Sequence, residues 1–351
     1  MTPLLPLPFE QALSGIADRA QQHDMGGSWP GLDLAQLHAA GAVRWAVPVE
    51  NGGEYLPAYE LHLRYEQLAT ASVATALILT QRDSAVGLID AATDAPQRAD
   101  LLSRLAKNEV WATVGIAQLT TSRQGGLPAV RATRTDGGYL VNGTIPWCTG
   151  LKHSDLIVAG AALEDGQQIL ILLRQDQEGV ELGPPMNLVA LTCTMTGPIE
   201  LKKVLVEDKW VLRAPTANAL AGRRNGLTLG QTFIATGLTQ SALNLIAGHD
   251  SDRARVACAR FAQQLAELRA EIATLCQPGH EADASAANPR LRGACNDLAL
   301  RVTHAAIALY KGTSLLSGHP AQRLAREAMF LLVWSCPNPV IDCTVDLLAG
   351  K

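Results

Sequence analysis

Apolar residues recur at helical spacing near the start of the chain. Phe9, Leu13, Ile16 and Ala20 form one stripe, and Leu61, Tyr65 and Leu68 open a second that runs on through ATASVATALIL. Between them AVPVENGGEYLP reads as a turn, because Gly52-Gly53 and the flanking prolines interrupt any regular element. RADLLSRLAKNE adds a short amphipathic helix. From about Val110 the period changes to alternation. VWATVGIAQL is strand-like, PAVRATRT and YLVNGTIPW flank the turn Asp136-Gly137-Gly138, and DLIVAGAAL and QQILILLRQ flank Glu164-Asp165-Gly166, which predicts two hairpins. IELKKVLVEDKWVL supplies one or two strands more. After Ala214 the helical period returns in stripes led by Ile234, Phe261 and Leu298, and a fourth helix is predicted from His319 to Trp334. CQPGHEADASAANPR reads as a loop between two of these helices.

The pattern predicts a mainly α protein with a central β domain. Residues 1–109 form an N-terminal helical domain, 110–214 an antiparallel β-barrel or sandwich, and 215–351 a C-terminal four-helix bundle. A chain of 351 residues exceeds what one core serves and can enclose a buried site. With a formal charge of -4 and no basic run longer than Arg223-Arg224, neither nucleic acid nor an anionic membrane is expected as a partner. MTPLLPLPFEQ lacks the basic start of a signal peptide and no apolar run reaches a bilayer's width, so the expected location is the cytoplasm. Seven scattered cysteines without a C-x-x-C pair suit reduced thiols, and the eight histidines show no ligand spacing, so no metal is expected.

Three phrases carry a likeness. LAQLHAAGAVRWAVPVENGGEYL, YLVNGTIPWCTGLKHSDLIVAGA and HPAQRLAREA, in this order and spacing, resemble phrases of the acyl-CoA dehydrogenase superfamily of flavoproteins. That resemblance covers nearly the whole chain. It implies FAD between the β domain and the bundle, with Trp147 against the flavin ring and Thr149 near its N5 edge. An extended π-system favours a large apolar partner, and an electron-rich N5 favours a hydrogen-bond donor. The family's second flavin-facing phrase falls on VGIAQLTTSRQ, where it implies backbone contacts from Ile116 and Ala117 to the pyrimidine edge and a phosphate contact from Ser122 or Arg123. The Gln-x-x-Gly-Gly that contacts a neighbouring subunit's cofactor becomes Ala308-Leu309-Tyr310-Lys311-Gly312, which offers Lys311 to a pyrophosphate and keeps Gly312. A homodimer or homotetramer is implied, because the family builds its cofactor site across subunits.

One departure bears on chemistry. Acyl thioester dehydrogenation requires a base for the α-proton as well as a hydride acceptor, and the family's Glu stands just after the Arg-Asp helix. Counting from Arg326-Glu327-Ala328 places Ser335 there, and a hydroxyl is not ionised near neutrality without a base of its own. The alternative position used by some relatives reads Gly230-Gln231. Cys336 requires a cationic neighbour to act as a thiolate, Asp342 and Asp346 read as solvated, and Glu327 as the member of a structural ion pair. The catalytic residues are therefore open. The expected activity is FAD-dependent oxidation of an acyl thioester such as acyl-CoA at a CH–CH bond. Two alternatives stand beside it: a flavin monooxygenase of the same fold, fed by a reductase or other electron-transfer partner and needing no such base, and a non-catalytic binding protein.

Overall fold

The computed structural model describes residues 7–119, 128–222 and 226–350. Its N-terminal part contains α1 (Phe9–Gly26), α2 (Gly31–Ala39), α3 (Ala58–Ala71), α4 (Val73–Asp90) and α5 (Arg98–Ala106). The continuous helix expected through ATASVATALIL is broken at Ser72. That residue takes an extended conformation and its hydroxyl accepts from Thr75 N at 3.2 Å, so it ends α3 and caps α4. The break turns α4 inward, and fifteen of its eighteen residues are buried.

The central part is one eight-stranded sheet of β1 (Ala112–Gly115), β2 (Val130–Thr135), β3 (Gly138–Cys148), β4 (Leu156–Ala162), β5 (Gln168–Arg174), β6 (Val180–Leu182), β7 (Gly197–Glu207) and β8 (Val211–Thr216). The order is β6-β7-β3-β2-β4-β5-β8, with β1 beside β4. Both expected hairpins form, β2–β3 and β4–β5. The sheet is not wholly antiparallel: β1 runs parallel to β4, and β2 meets β4 in parallel at Arg131 and Ala162. The β2–β3 hairpin lies between β1 and β4 in the chain and supplies the long connection a parallel pair requires. Strand β4 is buried on both faces. Ile157, Ala159 and Ala161 enter a core internal to the β domain, whereas Leu156 and Val158 enter the core shared with the helices. That second face fastens the sheet to the helical parts.

The C-terminal part comprises α6 (Gly230–Ala247), α7 (Asp252–Leu275), α8 (Glu281–Tyr310), α9 (Pro320–Leu331) and α10 (Asn338–Leu348). Two details differ from expectation. The segment read as a loop is helical from Glu281 onward, with Pro289 inside α8; its alanine-rich start favours helix and outweighs the proline. The fourth helix stops at Leu331, and the shorter α10 follows and packs on α8. Helices α3 and α6 cross closely because residue 237 is Gly: a Cβ there would stand 2.5 Å from Glu66 O. This crossing forms one wall of the site. No helix among the described residues is long and apolar enough to cross a membrane.

Candidate active site

A cavity of about 650 Å³ opens where α3, α4, the ends of β1 and β3, α6 and α9 converge. Trp147 lies on its wall and is 46% exposed, a large ring without full protein cover. Strand alternation alone does not aim it there. Between Ile145 and Cys148 the β3–β7 register slips by one residue, so Pro146 and Trp147 sit in a bulge that redirects the ring. Thr149, just past the strand, lines the same wall.

Beside Thr149 stand two further hydroxyls, of Thr194 and Thr196, on the lining of the same cavity. Thr149 Oγ1 is 3.1 Å from Thr196 Oγ1, Thr196 Oγ1 is 2.8 Å from Thr194 Oγ1, and Thr194 Oγ1 donates to Leu191 O at 2.7 Å. Gly150 N donates to Thr194 O at 2.9 Å, which ties the two segments together. The turn bearing Thr194 begins and ends at non-glycine residues in the left-handed region, Leu191 at φ 61° and Met195 at φ 49°. Such strain costs roughly 1–3 kcal/mol per residue and persists where the surroundings enforce it.

Ile116 and Ala117 also line the cavity, but β1 ends at Gly115 and both lie beyond the strand. Ile116 O accepts from Leu119 N at 2.9 Å, so this carbonyl is engaged locally, in place of the strand backbone the resemblance implied. Ser122 and Arg123 lie outside the described residues. Lys311 and Gly312 are exposed at the end of α8 and do not line the cavity.

Ser335 does line it, in a turn at φ 52°. The turn is held from beneath by buried Arg292, which donates to Ser335 O at 2.7 Å and to Trp334 O at 2.9 Å. Arg292 also lies 3.5 Å from Cys336 Sγ, yet burial outweighs the cation and raises the thiol's pKa. Cys336 is thus a protonated, buried thiol rather than a base. The other candidate position lacks a carboxylate by identity; a Cβ on Gly230 would stand 2.5 Å from His62 Nε2, a side-chain tip that would have to turn aside. Gln231 faces the cavity with an amide. Glu327 pairs with Arg323 at 3.1 Å, not with Arg326, which instead holds Asp24 at 3.0 Å. Asp342 and Asp346 are exposed on α10.

The sequence reading missed a polar group on the helical side. Asp83 on α4 lines the cavity, its Oδ2 accepting from the Tyr65 hydroxyl at 2.7 Å and its Oδ1 from Arg82 Nη1 at 2.6 Å. Arg82 is wholly buried and also donates to Leu105 O at 2.8 Å. Burial raises the Asp83 pKa against the opposing pull of Arg82 and the Tyr65 hydrogen bond. His62 completes the wall, with Nδ1 2.7 Å from Ala58 O. The signal was present in the chain: Arg82-Asp83 is a charged pair inside a helix otherwise apolar enough to be buried on all sides.

The raised carboxyls carry a pH signature. Glu327 is buried and its pKa lies above the ordinary 4.5, chiefly from desolvation and against Arg323. A carboxyl that binds its proton more tightly when folded contributes stability that is complete below the unfolded pKa and fades as pH rises through the folded one. Relative to Glu327→Gln, the wild-type protein should therefore lose stability on going upward from about pH 4.5, by at most about 1.4 kcal/mol per pH unit. Urea unfolding of both proteins across pH 4–8 checks this.

The comparisons with known proteins bear on the same regions. Residues 11–109 match the family model for the acyl-CoA dehydrogenase N-terminal domain. Butyryl-CoA dehydrogenase from Megasphaera elsdenii superposes with a TM-score of 0.80 at 17% identity, covering 99% of this chain and 100% of that one. The chain has the acyl-CoA dehydrogenase fold. Its homologues and structural neighbours lie in the acyl-CoA dehydrogenase superfamily, and they include both dehydrogenases and flavin monooxygenases. The dibenzothiophene monooxygenase of Rhodococcus erythropolis is 28% identical over 220 residues, 59% of this chain and 52% of that one. A ternary complex of TdsC from Paenibacillus sp. A11-2 with FMN and indole superposes with a TM-score of 0.82 at 15% identity, covering 97% of this chain and 96% of that one. The chain spans about half to two thirds of the length of the curated relatives it matches first, 63%, 50% and 52%.

Proposed function

We propose that the chain is a flavin-dependent oxygenase. In this reading it takes reduced flavin and O₂ and oxidises a compact, largely apolar substrate that carries one hydrogen-bonding heteroatom. The observation that carries this is the identity of two residues lining the cavity. Both positions from which a carboxylate would take an α-proton line the cavity; one is Ser335 and the other reads Gly230-Gln231, so neither carries a carboxylate. General-base catalysis is worth about 10²- to 10⁴-fold, so a dehydrogenase would be severely handicapped here, whereas an oxygenase is not. The relatives include monooxygenases as well as dehydrogenases, so this choice rests on the cavity rather than on them.

The residues fit a flavin ring. Trp147 would offer it an apolar face, Thr149 a polar neighbour, and the turn from Ile116 to Ala117 a further backbone contact, all four residues lining the cavity. FAD is the proposed form, with Lys311 and Gly312 serving the cofactor of a second copy in a homodimer or homotetramer. When bound, reduced flavin supplies two electrons and two protons, so that one atom of O₂ enters the substrate and the other leaves as water. The chain's own residues do the rest. Leu61, Leu77 and Ile234 exclude water, and the Tyr65 hydroxyl holds the proton exchanged with the substrate, with Asp83 behind it as proton reserve. The raised Asp83 pKa suits that role.

The test begins with visible-absorbance titration of the purified protein by FMN and FAD. Next come anaerobic addition of acyl-CoAs and, separately, of a flavin reductase with NADH in air and indole or a small amine as substrate. Oxygen uptake coupled to substrate oxidation is expected. Flavin bleaching by an acyl-CoA alone would restore the dehydrogenase reading, and absence of binding of both oxidised and reduced flavin would leave a binding protein.

A further inference from the structure

The three threonine hydroxyls behind Trp147 have a direction. A main-chain carbonyl only accepts, so the Thr194 proton is committed to Leu191 O at 2.7 Å. Thr194 Oγ1 must then accept at 2.8 Å, which commits the Thr196 proton to it. Thr196 Oγ1 in turn accepts across 3.1 Å from Thr149, which commits the last proton. Each hydroxyl has one proton, and the reverse arrangement would set lone pairs against each other at one of these contacts. Thr149 therefore faces the cavity with lone pairs alone. Thr194 is wholly buried, so its 2.7 Å contact to Leu191 O sets the direction of the other two.

This reverses the polarity that the resemblance implied, in which a donor meets N5. The geometry points to a cavity that selects the reduced flavin: Thr194 and Thr196 are positioning residues that orient Thr149 as a hydrogen-bond acceptor, so the ligand atom against Thr149 must carry a proton. The inference rests on the reading given under Proposed function, that a flavin lies on Trp147 with its N5 edge at Thr149. Oxidised flavin presents a lone pair at N5 and reduced flavin an N–H. The oxidised form thus meets two opposed acceptors, whereas the reduced form completes a four-member chain that ends on Leu191 O. A protein so built holds a flavin that arrives already reduced and releases it once oxidised, as an oxygenase served by a diffusible reduced flavin requires.

The test is the ratio of dissociation constants for oxidised and photoreduced FAD, measured anaerobically by fluorescence and equilibrium dialysis, in wild type and in Thr196→Val and Thr194→Val. Wild type should bind the reduced form more tightly. Either substitution removes an acceptor from the chain and frees the Thr149 proton to turn into the cavity. The ratio should then move toward the oxidised form by about tenfold, the worth of one hydrogen bond. A structural disturbance alone would weaken both redox forms together and leave the ratio unchanged. Binding with an unchanged ratio in both variants overturns the inference but spares the flavin site; no binding of either form to wild type overturns both.

Discussion

A Tyr65→Phe protein is expected to fold, to bind flavin with wild-type affinity and to turn over about 10²- to 10⁴-fold more slowly. The substitution keeps the ring, which packs edge-on against His62 at 5.4 Å, and removes only the hydroxyl. Asp83 Oδ2 loses its 2.7 Å donor, at a cost of about 1–3 kcal/mol for an acceptor left without a partner. That loss favours the neutral acid, so the Asp83 pKa rises further. The Arg82–Asp83 pair stays in place, which makes this variant cleaner than any change at Asp83 itself: removing one partner of a buried ion pair costs about 3–5 kcal/mol and endangers the fold. The measurement is the rate of substrate oxidation at saturating reduced flavin across pH 5–9, beside flavin affinity by titration. Loss of rate with affinity preserved assigns Tyr65 to proton exchange. Parallel loss of both would mean that the hydroxyl serves only to shape the wall.

The elements most legible in the sequence were those whose local chemistry and tertiary role agree. Asp136-Gly137 and Asp165-Gly166 form hairpins because the strands on either side alternate and the glycines supply positive φ, 74° at Gly137 and 84° at Gly166. The opening stripe from Phe9 to Ala20 forms α1 because all its apolar positions but Leu13 are buried. Tertiary context decided the rest. A proline at position 289 reads as a loop signal, yet the alanines before it continue a helix across it. The slip beside Trp147 depends on the partner strand β7, which period-two reasoning along β3 alone does not include. At the site, Trp147, Thr149, Ile116, Ala117 and Ser335 share one cavity, whereas Lys311 and Gly312 do not. The polar partners escaped notice because Thr194 and Thr196 lie some forty-five residues beyond Thr149, and Tyr65 and Asp83 come from different helices. Contacts of this kind leave no spacing rule within one segment. A charged pair inside an apolar helix does leave a mark, and Arg82-Asp83 is that mark.

Installing a carboxylate at Ser335 should show whether its absence is what bars this cavity from acyl thioester chemistry. Ser335→Glu places a longer side chain on a turn whose carbonyl contacts to Arg292, at 2.7 Å from residue 335 itself and 2.9 Å from Trp334, do not involve the serine hydroxyl, so the backbone that aims residue 335 should persist. The left-handed φ of 52° is already borne by a non-glycine residue and adds no new strain. Residue 335 shares the cavity lining with Met329, Phe330 and Val333, so the new carboxylate would stand on the cavity's surface. The expected result is an increase of about 10²- to 10⁴-fold in exchange of the α-proton of butyryl-CoA with D₂O, measured by NMR, together with a lower rate of oxygen-dependent turnover. The exchange readout does not depend on flavin reduction and so isolates the base. If exchange rises and anaerobic flavin bleaching follows, the dehydrogenase scaffold is intact and Ser335 alone separates the two chemistries. If exchange stays at the wild-type level in a folded variant, the helical side of the cavity, with His62, Tyr65 and Asp83 turned toward it, does not admit a thioester, and the oxygenase reading gains a steric basis independent of the missing base.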